Sequence, residues 1–110
     1  MCCQVAELDG EGRVLRVFGG LRGDGPHQLN TPRYLSLDID GRVLLADCYN
    51  RRILLLDSKL KLERVLLSAD NKLDSELYCM YFNRQTGQLT VCHNAWPDRV
   101  SVYNVWRRVK

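Results

Sequence analysis

The side chains that could carry out acid–base or nucleophilic chemistry are few and widely separated. A serine or cysteine nucleophile needs a histidine base and an acid that orients it, and the chain has two histidines, His27 and His93. His27 lies in a loop rich in Gly and Pro, and His93 follows the apolar strand-like segment that ends at Cys92. Both positions favour a loop or corner role over that of a base. The sequence therefore predicts no catalytic residue and no enzyme activity.

Metal, cofactor and phosphate sites are equally unsupported by the spacing of the residues. The carboxylates are scattered among turns, without the cluster of oxygen or nitrogen ligands that a metal ion needs. The glycines between Gly19 and Gly25 resemble a phosphate loop only superficially, since no Lys-Ser or Lys-Thr follows them and no helix is expected there. We therefore predict neither metal nor cofactor.

Five cysteines are present, and none of them forms a C-x-x-C pair. Cys48, Cys79 and Cys92 lie within apolar stretches, which favours small buried side chains in a reducing compartment. This usage predicts a cytoplasmic protein. A disulfide between Cys79 and Cys92 is the alternative.

Composition and charge restrict the class of protein. The 110 residues are 45% hydrophobic, which is typical of one globular domain, and no apolar run approaches the roughly 20 residues of a membrane helix. The net charge of +3 is accounted for by Arg107, Arg108 and Lys110. The rest of the chain is electrically balanced, so any nucleic-acid binding must depend on a local basic patch.

Short strands joined by tight turns are the elements that must position any site. Gly, Asp and Asn recur about every ten residues between segments rich in Val, Leu, Ile and Tyr. Gly12, Gly41 and Gly87 stand where a hairpin turn needs a positive φ. We predict an all-β fold, with central strands over 34–38, 43–48, 53–57 and 62–67. A helix over 52–67 is the alternative, because Leu, Lys, Glu and Arg favour helices there.

An internal repeat supports the strands over the helix. Residues 29–37 are echoed by 73–81, residues 40–45 by 86–91, and residues 52–55 by 99–102, at an offset that drifts from 44 to 47. Units of this length with four strands each are typical of propeller blades.

The middle unit resembles the NHL repeat. The residues that carry this resemblance are Phe18-Gly19-Gly20, Gly23-Asp24-Gly25, Leu29-Asn30-Thr31-Pro32-Arg33, Asp40-Gly41 and Ala46-Asp47-Cys48-Tyr49-Asn50-Arg51-Arg52-Ile53. The later unit departs from this pattern, with His93 in place of Asp47 and Glu76 in place of Pro32. The family builds closed β-propellers, commonly of six blades. The resemblance thus implies one incomplete propeller region over 1–110, with a partial blade over 2–19, a full blade over 29–68 and a partial blade over 73–106.

Asp47, Asn50 and Arg52 form the polar corner of the middle unit. An Asp that leaves a buried strand can accept hydrogen bonds from the amides of the following turn, and an Asn tolerates the left-handed conformation. An Arg can pair with a carboxylate at the edge of a blade. We predict that the three residues stabilise the corner, with ligand contact as the alternative.

Recognition by a surface is the function that remains. The loops on one face of such a propeller carry a basic set with one aromatic residue, namely Arg22, His27, Arg33, Arg51, Arg52, Trp96 and Arg99. The resemblance implies a non-catalytic interaction module that binds a protein, similar to the NHL region of tripartite-motif ubiquitin ligases. Single-stranded RNA is the alternative partner, because Arg can hold phosphates and Trp96 can stack on a base. A fragment of an NHL-like lyase is a weaker alternative, since the metal and histidine residues of such enzymes are absent.

The repeat also predicts that the fold of this chain is incomplete on its own. Two and a half blades lack the neighbours that cover their flat faces. We therefore predict a segment of a larger protein or a chain that associates, marginally stable alone and prone to oligomerise or aggregate. Its best-ordered part should be the corner at Asp47.

Overall fold

The fold is all-β, as predicted. A computed structural model describes residues 2–68, 76–94 and 99–105, and within them the chain forms three small antiparallel sheets and no α-helix. The strands are β1 (Cys2–Leu8), β2 (Val14–Leu21), β3 (Pro32–Leu37), β4 (Val43–Asp47), β5 (Arg52–Leu56), β6 (Leu62–Leu67), β7 (Glu76–Asn83), β8 (Gln88–Asn94) and β9 (Arg99–Asn104). The first sheet is β1-β2, the middle sheet is β3-β4-β5-β6 and the third sheet is β7-β8-β9. Among the described residues, no helix has the length and apolar character to cross a membrane.

The middle sheet contains the four strands that the turn spacing predicts. The ends of its strands differ from the predicted spans by at most two residues. The alternative of a helix over 52–67 is wrong, because this stretch forms β5 and β6 with a tight turn between them. Its leucines favour a helix locally, but burial of β5 between two neighbouring sheets overrides that preference.

A recurring aspartate shapes the hairpin turns. In the β3–β4 turn, Oδ1 of Asp38 accepts the amides of Asp40 at 2.9 Å and Arg42 at 2.8 Å. Gly41 then takes a left-handed φ of 80°, as the sequence predicts. The other two turns have the same pair of hydrogen bonds. The amides of Glu11 and Arg13 donate to Oδ1 of Asp9, and those of Lys59 and Lys61 donate to Oδ1 of Asp57.

The β5–β6 turn has the same geometry without a glycine. Leu60 occupies its left-handed position with a φ of 61°, where the other two turns have Gly12 and Gly41. The Leu60 side chain is buried in the core between the first and middle sheets. Burial of a leucine is worth about 1.5–3 kcal/mol, which offsets the roughly 1–2 kcal/mol cost of a left-handed non-glycine residue.

Two apolar cores hold the three sheets face to face. Successive residues of β4 and β5 point to opposite faces, so both faces of the middle sheet are buried. One core joins the middle and third sheets through Leu44, Ala46, Cys48, Ile53, Leu55, Met80, Phe82, Leu89 and Val91. The other joins the first and middle sheets through Cys3, Phe18, Leu29, Val43, Leu45, Leu54, Leu56 and Leu60. The uninterrupted apolar runs of the sequence thus predict strands that are covered on both sides.

The covering is incomplete at the edge of the middle sheet. Leu35 and Leu37 in the edge strand β3 are 54% and 48% exposed. The two-stranded first sheet packs against the apolar residues of β4 and β5 and leaves these leucines beside an open groove.

Candidate functional site

Asp47 is a fully buried carboxylate at the end of β4, and it organises the corner. Its Oδ1 accepts the amide of Asn30 at 2.7 Å. Its Oδ2 accepts Nδ2 of Asn50 and Nε of Arg52, each at 2.8 Å. The buried charge is therefore paired with a cation and hydrogen-bonded on both oxygens, as a buried carboxylate requires.

Arg52 ties the corner to the loop that links the first and middle sheets. Its guanidinium donates to the carbonyls of Asp24 at 3.2 Å, Gly25 at 2.9 Å and Gln28 at 2.5 Å. Together with the bond to Asp47, these contacts use four of the five N–H groups of the side chain. Arg52 thus directs most of its donors to partners within the chain.

The corner differs in detail from the sequence-based expectation. The amides of the turn after Asp47 donate to backbone carbonyls, Cys48 to Thr31 at 3.3 Å and Tyr49 to Asn30 at 3.2 Å, and not to the carboxylate. The left-handed residue is Arg51, with φ 51° and ψ 53°, and not Asn50. The Asn50 amide is used instead as a bridge, because it also donates to the carbonyl of Gly23 at 2.7 Å.

An aromatic and cationic pair lies on the exposed side of this corner. The guanidinium carbon of Arg33 is 5.9 Å from the centre of the Tyr49 ring, which is within cation–π distance. Tyr49 is 52% exposed, and Arg33 and the neighbouring Arg51 are exposed as well. A cation and a flat apolar ring are thus presented together on a backbone that the buried network holds in place.

Two further predicted residues lie in the linking loop. His27 is exposed, with its ring centre 6.0 Å from that of the buried Phe18. Arg22 is exposed beside Cys3, a buried thiol in β1. The pKa of Cys3 lies below its ordinary value for two reasons. The larger is a hydrogen bond from the Thr31 amide and the next is one from the Arg22 guanidinium, and both stabilise the thiolate.

Some of these residues could be predicted from the sequence, and one could not. The structure places Arg33 against Tyr49, which lies two residues before Arg51 at the same corner. Tyr49 was not predicted, although an aromatic residue inside a polar turn after a buried strand is a usable signal. Trp96 lies outside the described residues, and for Arg99 only the backbone is described, at the start of β9.

A groove of about 270 Å³ lies between the first sheet and the edge of the middle sheet, beside the β3–β4 turn. Its lining is mainly apolar, from Val5, Leu35, Leu37, Val43 and Leu60. In residues 2–68, 76–94 and 99–105, no three His, Cys, Asp or Glu side chains are placed to hold a metal ion.

Comparison of the chain with models of protein families found no match, and comparison with curated proteins found no significantly similar sequence.

Proposed function

We propose that the chain is a non-catalytic interaction module that binds a protein partner through the surface formed by Arg33, Tyr49 and Arg51. The observation that carries this proposal is the exposed Arg33–Tyr49 pair, held on a corner whose buried groups are satisfied by one another. Tyr and Arg are the residues most enriched among those that dominate protein–protein affinity. A rigid backbone beneath them lowers the entropy that binding must remove.

The proposed architecture is a segment of an NHL-type propeller. Three antiparallel sheets that follow one another along the chain and pack face to face support it, as does the resemblance of the middle unit to the NHL repeat. By that resemblance, the chain acts in the cytoplasm as the partner-binding part of a larger protein similar to the tripartite-motif ubiquitin ligases. Ligase membership rests on the resemblance alone.

The chemistry of the surface favours an acidic peptide segment as the partner. The exposed Arg33 guanidinium can bind a carboxylate through paired hydrogen bonds, and Tyr49 offers a flat ring for an apolar side chain. Because the chain has little net charge apart from its last residues, it has no broad positive field to attract a polyanion such as RNA. The charge distribution therefore favours a protein partner, and RNA binding is an outcome that the test can return.

Selection from a phage-displayed library of random peptides tests this function. We expect the protein to select peptides rich in Asp and Glu. Arg33→Ala or Tyr49→Ala should lower the affinity for the selected peptide by about 10-fold or more. Arg84→Ala is the matched control, because Arg84 is an exposed arginine in the β7–β8 turn, and it should leave affinity unchanged.

Two results would overturn the proposal. The first is a selected peptide whose affinity is the same for Arg33→Ala, Tyr49→Ala and the control. The second is the absence of peptide binding together with binding of a random single-stranded RNA pool that falls steeply with salt and is lost in Arg51→Ala.

We also propose that the outward faces of the first and third sheets pack against further sheets, supplied by another copy of the chain. The outward face of the first sheet carries Leu8, Val14 and Val17, which are 44–60% exposed. That of the third sheet carries Tyr81, Val100 and Val102, which are 57–64% exposed. The opposite face of each of these two sheets packs against the middle sheet in one of the two cores.

A further inference from the structure

The third sheet places two thiols directly opposite each other. Cys79 in β7 pairs with Cys92 in β8 in the antiparallel register. Both side chains lie on the outward face of this sheet, because their neighbours Met80 and Val91 point into the core. Both thiols are partly accessible to solvent and neither is in a disulfide.

The backbone already has the separation that a disulfide needs. Residues directly opposite on antiparallel strands have Cα atoms about 4.5–5.5 Å apart. Disulfides span Cα distances of about 4.4–6.8 Å. Rotation of the two side chains can therefore bring the sulfur atoms into bonding distance without a change of register.

The two thiols also interact with each other electrostatically. Burial raises the pKa of Cys92, and the charge of Cys79 and a hydrogen bond between the two thiols raise it further. Their paired positions place each thiol within reach of the other once one of them carries a mixed disulfide.

We propose that Cys79 and Cys92 are a reversible redox site that is oxidised to a cross-strand disulfide by a small disulfide such as oxidised glutathione. The Cys79 thiolate attacks one sulfur of glutathione disulfide, forms a mixed disulfide and releases one glutathione thiolate. Cys92 then loses its proton and attacks the Cys79 sulfur, which releases the second glutathione. Two electrons pass from the protein to glutathione disulfide, and the two protein thiols give up two protons to the glutathione thiolates or to solvent.

The other described cysteines do not share this arrangement. Cys2 and Cys3 pair with Leu21 and Gly20 in the register of β1 and β2, and Cys48 is buried in the short 3₁₀ turn after β4. The reaction should therefore select the pair in the third sheet. The resulting bond joins β7 to β8 covalently on the face that we propose to pack against a second copy, and it forms in the dissociated chain, where glutathione can reach the two thiols.

Treatment of the whole chain with oxidised glutathione, followed by trypsin and mass spectrometry, tests the proposal. Trypsin cleaves after Arg84, so Cys79 and Cys92 fall in separate peptides that only a disulfide joins. We expect the linked peptides to appear together with the loss of two alkylatable thiols, and reduction to restore both. Cys92→Ser should stop at a glutathione adduct on Cys79, and Cys48→Ser, the control, should still form the link.

Three results would contradict the proposal. They are stable glutathione adducts on both cysteines of the unmodified chain, oxidation that joins Cys79 or Cys92 to another cysteine, and no reaction at either residue while Cys3 reacts. The linked peptides are read out without any binding assay, so this test is independent of the proposed recognition function.

Discussion

Asp47→Ala is expected to lower the free energy of unfolding by about 3–5 kcal/mol, because it leaves the guanidinium of Arg52 in a nearly buried position without its carboxylate. The substitution also removes the acceptors of the Asn30 amide and the Asn50 side chain. A domain of this size has a total stability of about 5–15 kcal/mol. Urea or guanidinium denaturation followed by circular dichroism measures the change.

Two companion variants keep the result interpretable. Asp47→Asn retains an acceptor and the size of the side chain, so it should fold even where Asp47→Ala does not, with a smaller loss of stability. Asp40→Ala removes an aspartate whose side chain is 70% exposed and 3.5 Å from Arg42. An exposed ion pair of this kind contributes about 1 kcal/mol or less to the free energy of unfolding. If Asp47→Ala costs no more than Asp40→Ala, the corner is not the buried network described above.

Leu54→Ala and Leu55→Ala should each lower the free energy of unfolding by about 2–5 kcal/mol. These adjacent residues of β5 point to opposite faces of the middle sheet. Leu54 packs in the core shared with the first sheet, and Leu55 in the core shared with the third. In a sheet with one solvated face, one of the two substitutions would have little effect.

Leu35→Ala is the matched control for this pair. Leu35 is in β3 of the same sheet but is 54% exposed, so its truncation should cost about 1 kcal/mol or less. The same denaturation experiment applies to all three variants. A small loss for either Leu54→Ala or Leu55→Ala, comparable with that of Leu35→Ala, would mean that one face of the middle sheet is not covered.

The strands of the middle sheet could be predicted because their signals are local. Apolar runs over 43–46 and 53–56 indicate strands with two covered faces, and both runs are buried. Gly41 marks the β3–β4 turn by its residue type. The β5–β6 turn was harder to recognise, because Leu60 adopts the left-handed conformation there without being a glycine.

The contacts of the corner could not be predicted, because they join residues far apart in the sequence. Asp47 was expected to bond with the turn that follows it, yet its backbone partner is Asn30, 17 residues earlier. Arg52 bonds with carbonyls 24 to 28 residues before it. Residue chemistry indicated which side chains would form hydrogen bonds, but the packing of the linking loop determined their partners.

Size-exclusion chromatography with light scattering tests whether the sheets of this chain stack face to face and leave apolar faces at both ends of the stack. We expect species larger than a monomer, whose proportion falls on dilution. Val102→Lys, which places a charge on the outward face of the third sheet, should shift the chain toward the monomer. Ile39→Lys, at a 77% exposed position in the β3–β4 turn, should not. A monodisperse monomer at every concentration, or equal association of the two variants, would contradict this arrangement of the sheets.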